Sequence, residues 1–299
     1  MAGAWSAGGD LATAREGAGG GGNSSNAICM CGGIIGEEDL TLFSTTEEYN
    51  ATTWSSGGDI TTPRICIAAG GNSSDAISIS GCDSDYYSTV LTEEYNGTSW
   101  CSGGDLARGR DSPAGGGNSS NAICMGGVNT FDFNPIVSTE QYNGTSWSSG
   151  GDISTGRDSL AGGGNSTDAI CMGGAYKWSA RAITEEYNGT SWSTGGNLTT
   201  PRFYLAGGGN SSNAICMGGF VPFITIAVTE EYSGTSWITG GNILTGRHSL
   251  AGAGSTSDAI CMGGKNRGGF FFATTEEYSI GPSTAIIPVF MSQYKRRWT

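Results

Sequence analysis

A paired carboxylate recurs along this chain, as Glu47-Glu48, Glu93-Glu94, Glu185-Glu186, Glu230-Glu231 and Glu276-Glu277, with Glu140-Gln141 as a variant. Two adjacent acids could divide acid and base roles or hold a cation. Each pair lies in a Thr-Glu-Glu-Tyr type of segment that reads as a strand, where neighbouring side chains point to opposite faces. The two carboxylates of a pair therefore diverge, and shared-proton chemistry is not expected. The first Glu of each pair has another prospective partner, because an Arg also recurs once per unit: Arg15, Arg64, Arg110, Arg157, Arg202 and Arg247. A Glu and an Arg that repeat in step are read as a structural ion pair holding strands, a device that specifies geometry more than it stabilises.

The remaining chemical candidates are thin. His248 is the single histidine, so no histidine cluster exists for zinc or copper, and one His beside Arg247 is a weak base for a Ser or Cys nucleophile. Asp59, Asp105 and Asp152 each follow Gly-Gly, but Asn197 and Asn242 fill the same position, which points to turn chemistry rather than calcium. The Gly-x-Gly runs precede no helix that could receive a phosphate. No catalytic residue, metal site or cofactor is expected. The chain has nine cysteines. Cys29, Cys124, Cys171, Cys216 and Cys261 share one repeat position and read as small apolar residues of a buried strand. Cys66 and Cys82 both depart from the repeat within one unit and form a candidate cross-strand disulfide. Ten Asn-x-Ser/Thr sequons occur, nine of them in turns whose backbone geometry already calls for Asn and Ser.

What positions these residues is a repeat. Trp5, Trp54, Trp100, Trp147, Trp192 and Trp237 are spaced by 49, 46, 47, 45 and 45 residues, and each is followed ten residues later by the Arg. A period of this size marks a propeller or solenoid. In the copy from 157 to 198, Ala161-Gly162-Gly163-Gly164 and Ala169-Ile170-Cys171-Met172 flank an Asn-rich turn and read as two inner strands. Ala182 to Tyr187 and Ser191 to Thr194 flank Asn188-Gly189, a strong hairpin signal, and read as the outer two. A strand about every ten residues makes a four-stranded antiparallel blade. The second unit carries Gly81-Cys82 where others have a glycine pair. The first places Cys31 before Gly32-Gly33, which suggests a bulge.

Glycines ending the second strand, Glu-x-Tyr on the third, Trp on the fourth and Arg before the next unit together resemble the kelch repeat. The resemblance covers residues 5 to 278 and implies a β-propeller. The expected fold is all-β: a six-bladed propeller over residues 1–279 in which the N-terminal strand 5–11 completes the blade formed by 247–278. Residues 280–299 lie outside the repeat. Their apolar stretch from Ala285 to Met291 suggests a tail that docks on the propeller or on a neighbour, giving a homo- or hetero-oligomer.

Function is expected where the repeat breaks down. The segment after the glycines differs in every unit and carries Tyr86, Tyr87, Phe131, Phe133, Tyr176, Trp178, Phe220, Phe223, Phe270 and Phe271. These loops share one face of the ring, and aromatics on a constant scaffold are candidate partner-binding residues. A net charge of −13 argues against nucleic acid. No apolar run reaches the roughly 18 residues of a membrane span. The start Met1-Ala2-Gly3-Ala4-Trp5 lacks the charged and apolar regions of a signal peptide. The near-identical Thr-Glu-Glu-Tyr-Asn-Gly-Thr-Ser-Trp units are similar to kelch-like proteins predicted from bacteriophage and other viral genomes. That resemblance implies a non-enzymatic virion component assembled in the host cytoplasm: a capsid decoration, tail appendage or host-recognition protein. Its partners would be other virion proteins or a host-surface receptor or glycan. The alternatives are an extracellular, lectin-like adhesin that binds carbohydrate through the loop aromatics and, less favoured, a sialidase-type enzyme.

Overall fold

A computed structural model describes residues 3–36 and 39–280. The chain forms six four-stranded antiparallel sheets arranged as a ring, a six-bladed β-propeller without helices among the described residues. Blades one to five span 19–56, 68–102, 114–149, 161–194 and 206–239. Blade six takes three strands from 251–279 and its outermost strand, Ala4–Ala7, from the other end of the chain, with Trp5 opposite Tyr278. The expected closure by the N-terminal strand is observed. The proposed tail, residues 280–299, lies outside the described residues beyond Ile280.

Blade four shows the register: Ala161 faces Met172, Cys171 faces Glu185, and Tyr187 faces Trp192. The innermost strands are glycine because adjacent blades touch there through backbone. A Cβ on Gly116 would lie 2.6 Å from the Gly164 carbonyl oxygen, and one on Gly163 2.5 Å from that of Gly209. Apolar residues of facing blades build six separate cores, one in each interface, rather than one central core. The five repeat cysteines are fully buried in them.

The repeating Trp, Tyr, Glu and Arg join strands in three ways. Each Arg is fully buried and pairs with the first Glu of its blade, as in Arg110–Glu140 at 2.7 Å and Arg157–Glu185 at 3.0 Å. The Arg157 guanidinium also donates to two carbonyls, those of Gly173 and Ile183. Each Trp indole donates to a Thr hydroxyl of the preceding blade, from Trp5 to Thr229 and from Trp100 to Thr46, both at 2.9 Å. The second Glu is the unexpected member: Tyr95 donates to Glu48 and Tyr142 to Glu94, across blade boundaries. At the boundary of blades three and four Gln141 replaces it and donates to the Tyr187 hydroxyl at 2.9 Å. The diverging carboxylates of each pair thus serve two different joints.

Two readings of the repeat are corrected. The backbone pair with positive φ is Cys31-Gly32 in blade one and Ser80-Gly81 in blade two, matching Gly126-Gly127 and Gly173-Gly174. Cys31 is therefore no insertion, and Gly33 and Cys82 occupy the following position, bridged to Glu16 and Ile65. This register also undoes the candidate disulfide. Cys82 pairs with Ile65 through two backbone hydrogen bonds, which leaves the Cys66 backbone, with φ 58°, one residue out of phase, although both thiols lie beside the Asp111 carboxylate. Both thiols are free.

A feature with no sequence signature encircles the axis. Gly17, Cys66, Ser112, Ser159, Tyr204 and Ser249, each with positive φ, form a closed circle in which every N–H donates to the carbonyl of the preceding member, at 2.8–3.1 Å.

Candidate functional site

The residue before each member of that circle lies next to the loop face, and its identity changes from blade to blade: Glu16, Ile65, Asp111, Asp158, Phe203 and His248. The six divide into contrasting sectors. Glu16 is bonded to Lys265 at 2.8 Å, tying blade six to blade one. Burial raises the Glu16 carboxyl above its ordinary value, and the Lys265 ammonium opposes that shift. Phe203, Phe220 and His248 pack together, with ring centroids 5.5 and 5.1 Å from Phe220. Burial, aided by the Lys265 charge, pushes the His248 imidazole down to about 4 and keeps it neutral at physiological pH.

Asp111 and Asp158 form the third sector. Their carboxylates accept from the Ser112 hydroxyl at 2.9 Å and the Ser159 hydroxyl at 2.8 Å. Cys66 and Cys82 lie beside Asp111. Among the described residues neither acid has a Lys or Arg partner. Burial raises both above the usual carboxylate range, and the charge of Asp111 adds to the shift at Asp158.

Above these acids opens a cleft of about 410 Å³ between the loops of blades three and four. Phe133, Pro135 and Val128 line one side, Lys177 and Trp178 the other, and Tyr204 closes the axial end. Trp178 is 78% exposed and Phe133 75%. Both sit in left-handed backbone, with φ 65° and 50°. Lys177 also has positive φ (49°), so the hairpin from Ala175–Tyr176 to Ser179–Ala180 turns on two non-glycine residues in a conformation that glycine or asparagine would adopt more easily. The opening on the opposite face is of similar size, about 470 Å³, but is walled by Gly, Asn and Ser alone.

The other loop aromatics divide. Tyr87 stacks on Phe131 across blades two and three, with centroids 5.2 Å apart and planes 9° from parallel. Tyr86 and Phe223 are exposed at loop tips, again with positive φ, 61° and 72°. Tyr176 carries Lys177 and Arg181 near its ring, and Phe270 packs edge-on against Phe272 while remaining exposed. Phe220 and Phe271 are half-buried, the first among aromatics and the second near the Lys265 ammonium. The aromatics were visible in the sequence; Asp111, Asp158 and Tyr204 were not.

No group of three His, Cys, Asp or Glu side chains among the described residues could hold a metal ion. No helix among them is long and apolar enough to cross a membrane. No known family description and no curated protein matches the chain. A propeller with a conserved-geometry ring and variable loops supports a protein-interaction module in general.

Proposed function

We propose that this chain is a non-enzymatic interaction module of a virus particle of bacteriophage type, and that it engages its partner through the loop face. The observation that carries the loop-face reading is the set of exposed aromatics at Tyr86, Phe133, Trp178 and Phe223, all held in left-handed backbone. An L-residue there costs roughly 1–2 kcal/mol relative to ordinary backbone. Bulky side chains retained at such positions on one face are suited to contact rather than to stability. The six repeat arginines are committed to buried pairs with Glu, which favours recognition over a sialidase-like chemistry that needs free arginines above the ring. The virion assignment rests on the resemblance of the repeats to kelch-like proteins of viral genomes, with decoration, tail-appendage and host-recognition roles all within it.

A second reading, a lectin-like adhesin, is favoured by one feature: the cleft in which exposed rings stand over two carboxylates.

Immunogold labelling of purified particles with antibody to the chain tests the virion assignment, and unlabelled particles would sink it. For the loop face, a variant carrying glycine at all four tips is compared with the wild type in attachment to particles and to host cells. Loss of attachment with an unchanged fold is expected. Attachment equal to wild type would move the binding surface elsewhere.

A further inference from the structure

The cleft between blades three and four differs from the other openings of the molecule in joining apolar ring faces to both kinds of polar group. The axial pockets are lined by glycine and small or aliphatic residues, with Tyr204 at one end but no charged group, and the opposite mouth by uncharged turn residues. The cleft volume, about 410 Å³, falls within the range typical of small-molecule sites. At its floor Asp111 and Asp158 offer carboxylate oxygens and no paired cation. Tyr204 and Lys177 on the cleft walls add potential donors, while the Ser112 hydroxyl is spent on Asp111.

We propose that this cleft binds a neutral pyranose ring, with Trp178 and Phe133 taking its C–H face and Asp111 and Asp158 accepting from its hydroxyls. The inference rests on the loop-face reading and gives that face a ligand class. Each sugar hydroxyl both donates and accepts, so it needs the mixture of acceptors and donors found here. An anionic ligand would meet two carboxylates. A cationic one would meet Lys177 on the cleft wall. A metal ion is disfavoured by the absence of a three-ligand group among the described residues. Aromatic faces complete the match, since the C–H side of a pyranose is apolar and an exposed indole supplies a large, rigid surface.

Saturation-transfer NMR on the full chain tests this with the neutral methyl pyranosides of glucose, galactose, mannose and N-acetylglucosamine, and with N-acetylarginine amide as a cationic probe. Transfer to at least one glycoside is expected, with affinity about tenfold weaker or worse in Trp178→Gly and in Asp158→Asn. Asn keeps the shape of Asp, and Gly suits the backbone at 178, so both variants should fold; their circular dichroism is recorded alongside. No transfer to any glycoside at millimolar concentration, equal binding by both variants, or binding of the arginine probe alone would each overturn the proposal. Glycoside hydrolysis in the same samples would also overturn it, by making the acids catalytic. Loss of attachment in the four-tip variant without any glycoside binding would remove the ligand class and leave the loop-face reading standing. Glycoside binding that depends on Trp178, with attachment unchanged, would do the reverse.

Discussion

Trp178 puts a large side chain where the backbone favours none. With φ 65° and 78% of its surface exposed, it has little packing to offset the strain. Replacing it with glycine removes a strain of roughly 1–2 kcal/mol but adds about 0.5–1 kcal/mol of chain entropy to be lost on folding. Trp178→Gly is therefore expected to leave the unfolding free energy unchanged or raise it by up to about 1.5 kcal/mol, measured by denaturant unfolding. A clear destabilisation would show that Trp178 is a packing residue and would weaken the functional reading. The ring at 178 was legible because it interrupts a near-identical repeat; its left-handed backbone was not, since Trp carries no signal for positive φ. Asp111 and Asp158 were hidden for another reason. Each occupies a position where other units have Glu, Ile, Phe or His, so no repeating signal marks it, and it is the packing of consecutive blades three and four that sets the two side by side.

At the scale of the blade, the acidic pair was half legible. The Arg-to-Glu joint follows from two residues recurring in step, and it is present in all six blades. The Tyr-to-Glu joint crosses between blades, and a period within the chain does not say which unit a side chain reaches. The glycine register slipped for a related reason: Cys31 and Ser80 occupy left-handed positions that sequence reading reserves for glycine. The Gln141 exception makes the inter-blade joint measurable. Tyr142→Phe leaves Glu94 without its phenol donor, at a cost of about 1–3 kcal/mol. Tyr187→Phe should cost less, because Gln141 keeps its bonds to the Ser166 and Gly189 carbonyls at 2.8 and 3.2 Å. Equal losses would mean that the carboxylate at this joint contributes nothing particular. The same joint predicts alkaline sensitivity. Burial, reinforced by the hydrogen bond to Glu94, raises the Tyr142 phenol from about 10 to about 12, and Tyr49, Tyr95 and Tyr232 shift the same way. A raised folded value means that the fold favours the neutral phenol. That contribution is complete below pH 10 and is lost as pH rises toward 12. Unfolding midpoints should fall across this window, and less steeply in Tyr142→Phe.

For the molecule as a whole, six small cores between blades mean that stability depends on every blade having two neighbours. The ring closure is where this is most exposed, because the outermost strand of blade six comes from the other end of the chain and only non-covalent contacts join it to the strand Thr275–Ser279. The contacts that close it include the pairing of Ala4–Ala7 with the strand Thr275–Ser279, the indole bond from Trp54 to Thr275, the packing of Leu11 in the core shared by blades six and one, the Glu16–Lys265 ion pair and the Gly17-to-Ser249 link of the axial circle. Removing residues 1–11 deletes the strand pairing, the Leu11 packing and the Trp5 bond to Thr229 of blade five, and leaves the edge of Thr275–Ser279 unpaired. Loss of the buried Trp alone costs about 3–5 kcal/mol by analogy with other core truncations. The truncated chain is therefore expected to lose more stability than Trp100→Ala, which removes an equally buried indole from a blade whose strands remain continuous. The open edge should also make it associate in a concentration-dependent way, seen by sedimentation, because unpaired strand edges recruit other chains. Those two effects separate a seam from an ordinary strand. A synthetic peptide of residues 1–11 added to the truncated chain should occupy the vacant edge by strand addition and suppress the association. A truncated chain that stays monomeric and unfolds at the wild-type midpoint would show that the circle of backbone hydrogen bonds at the axis closes the ring without its outer strand.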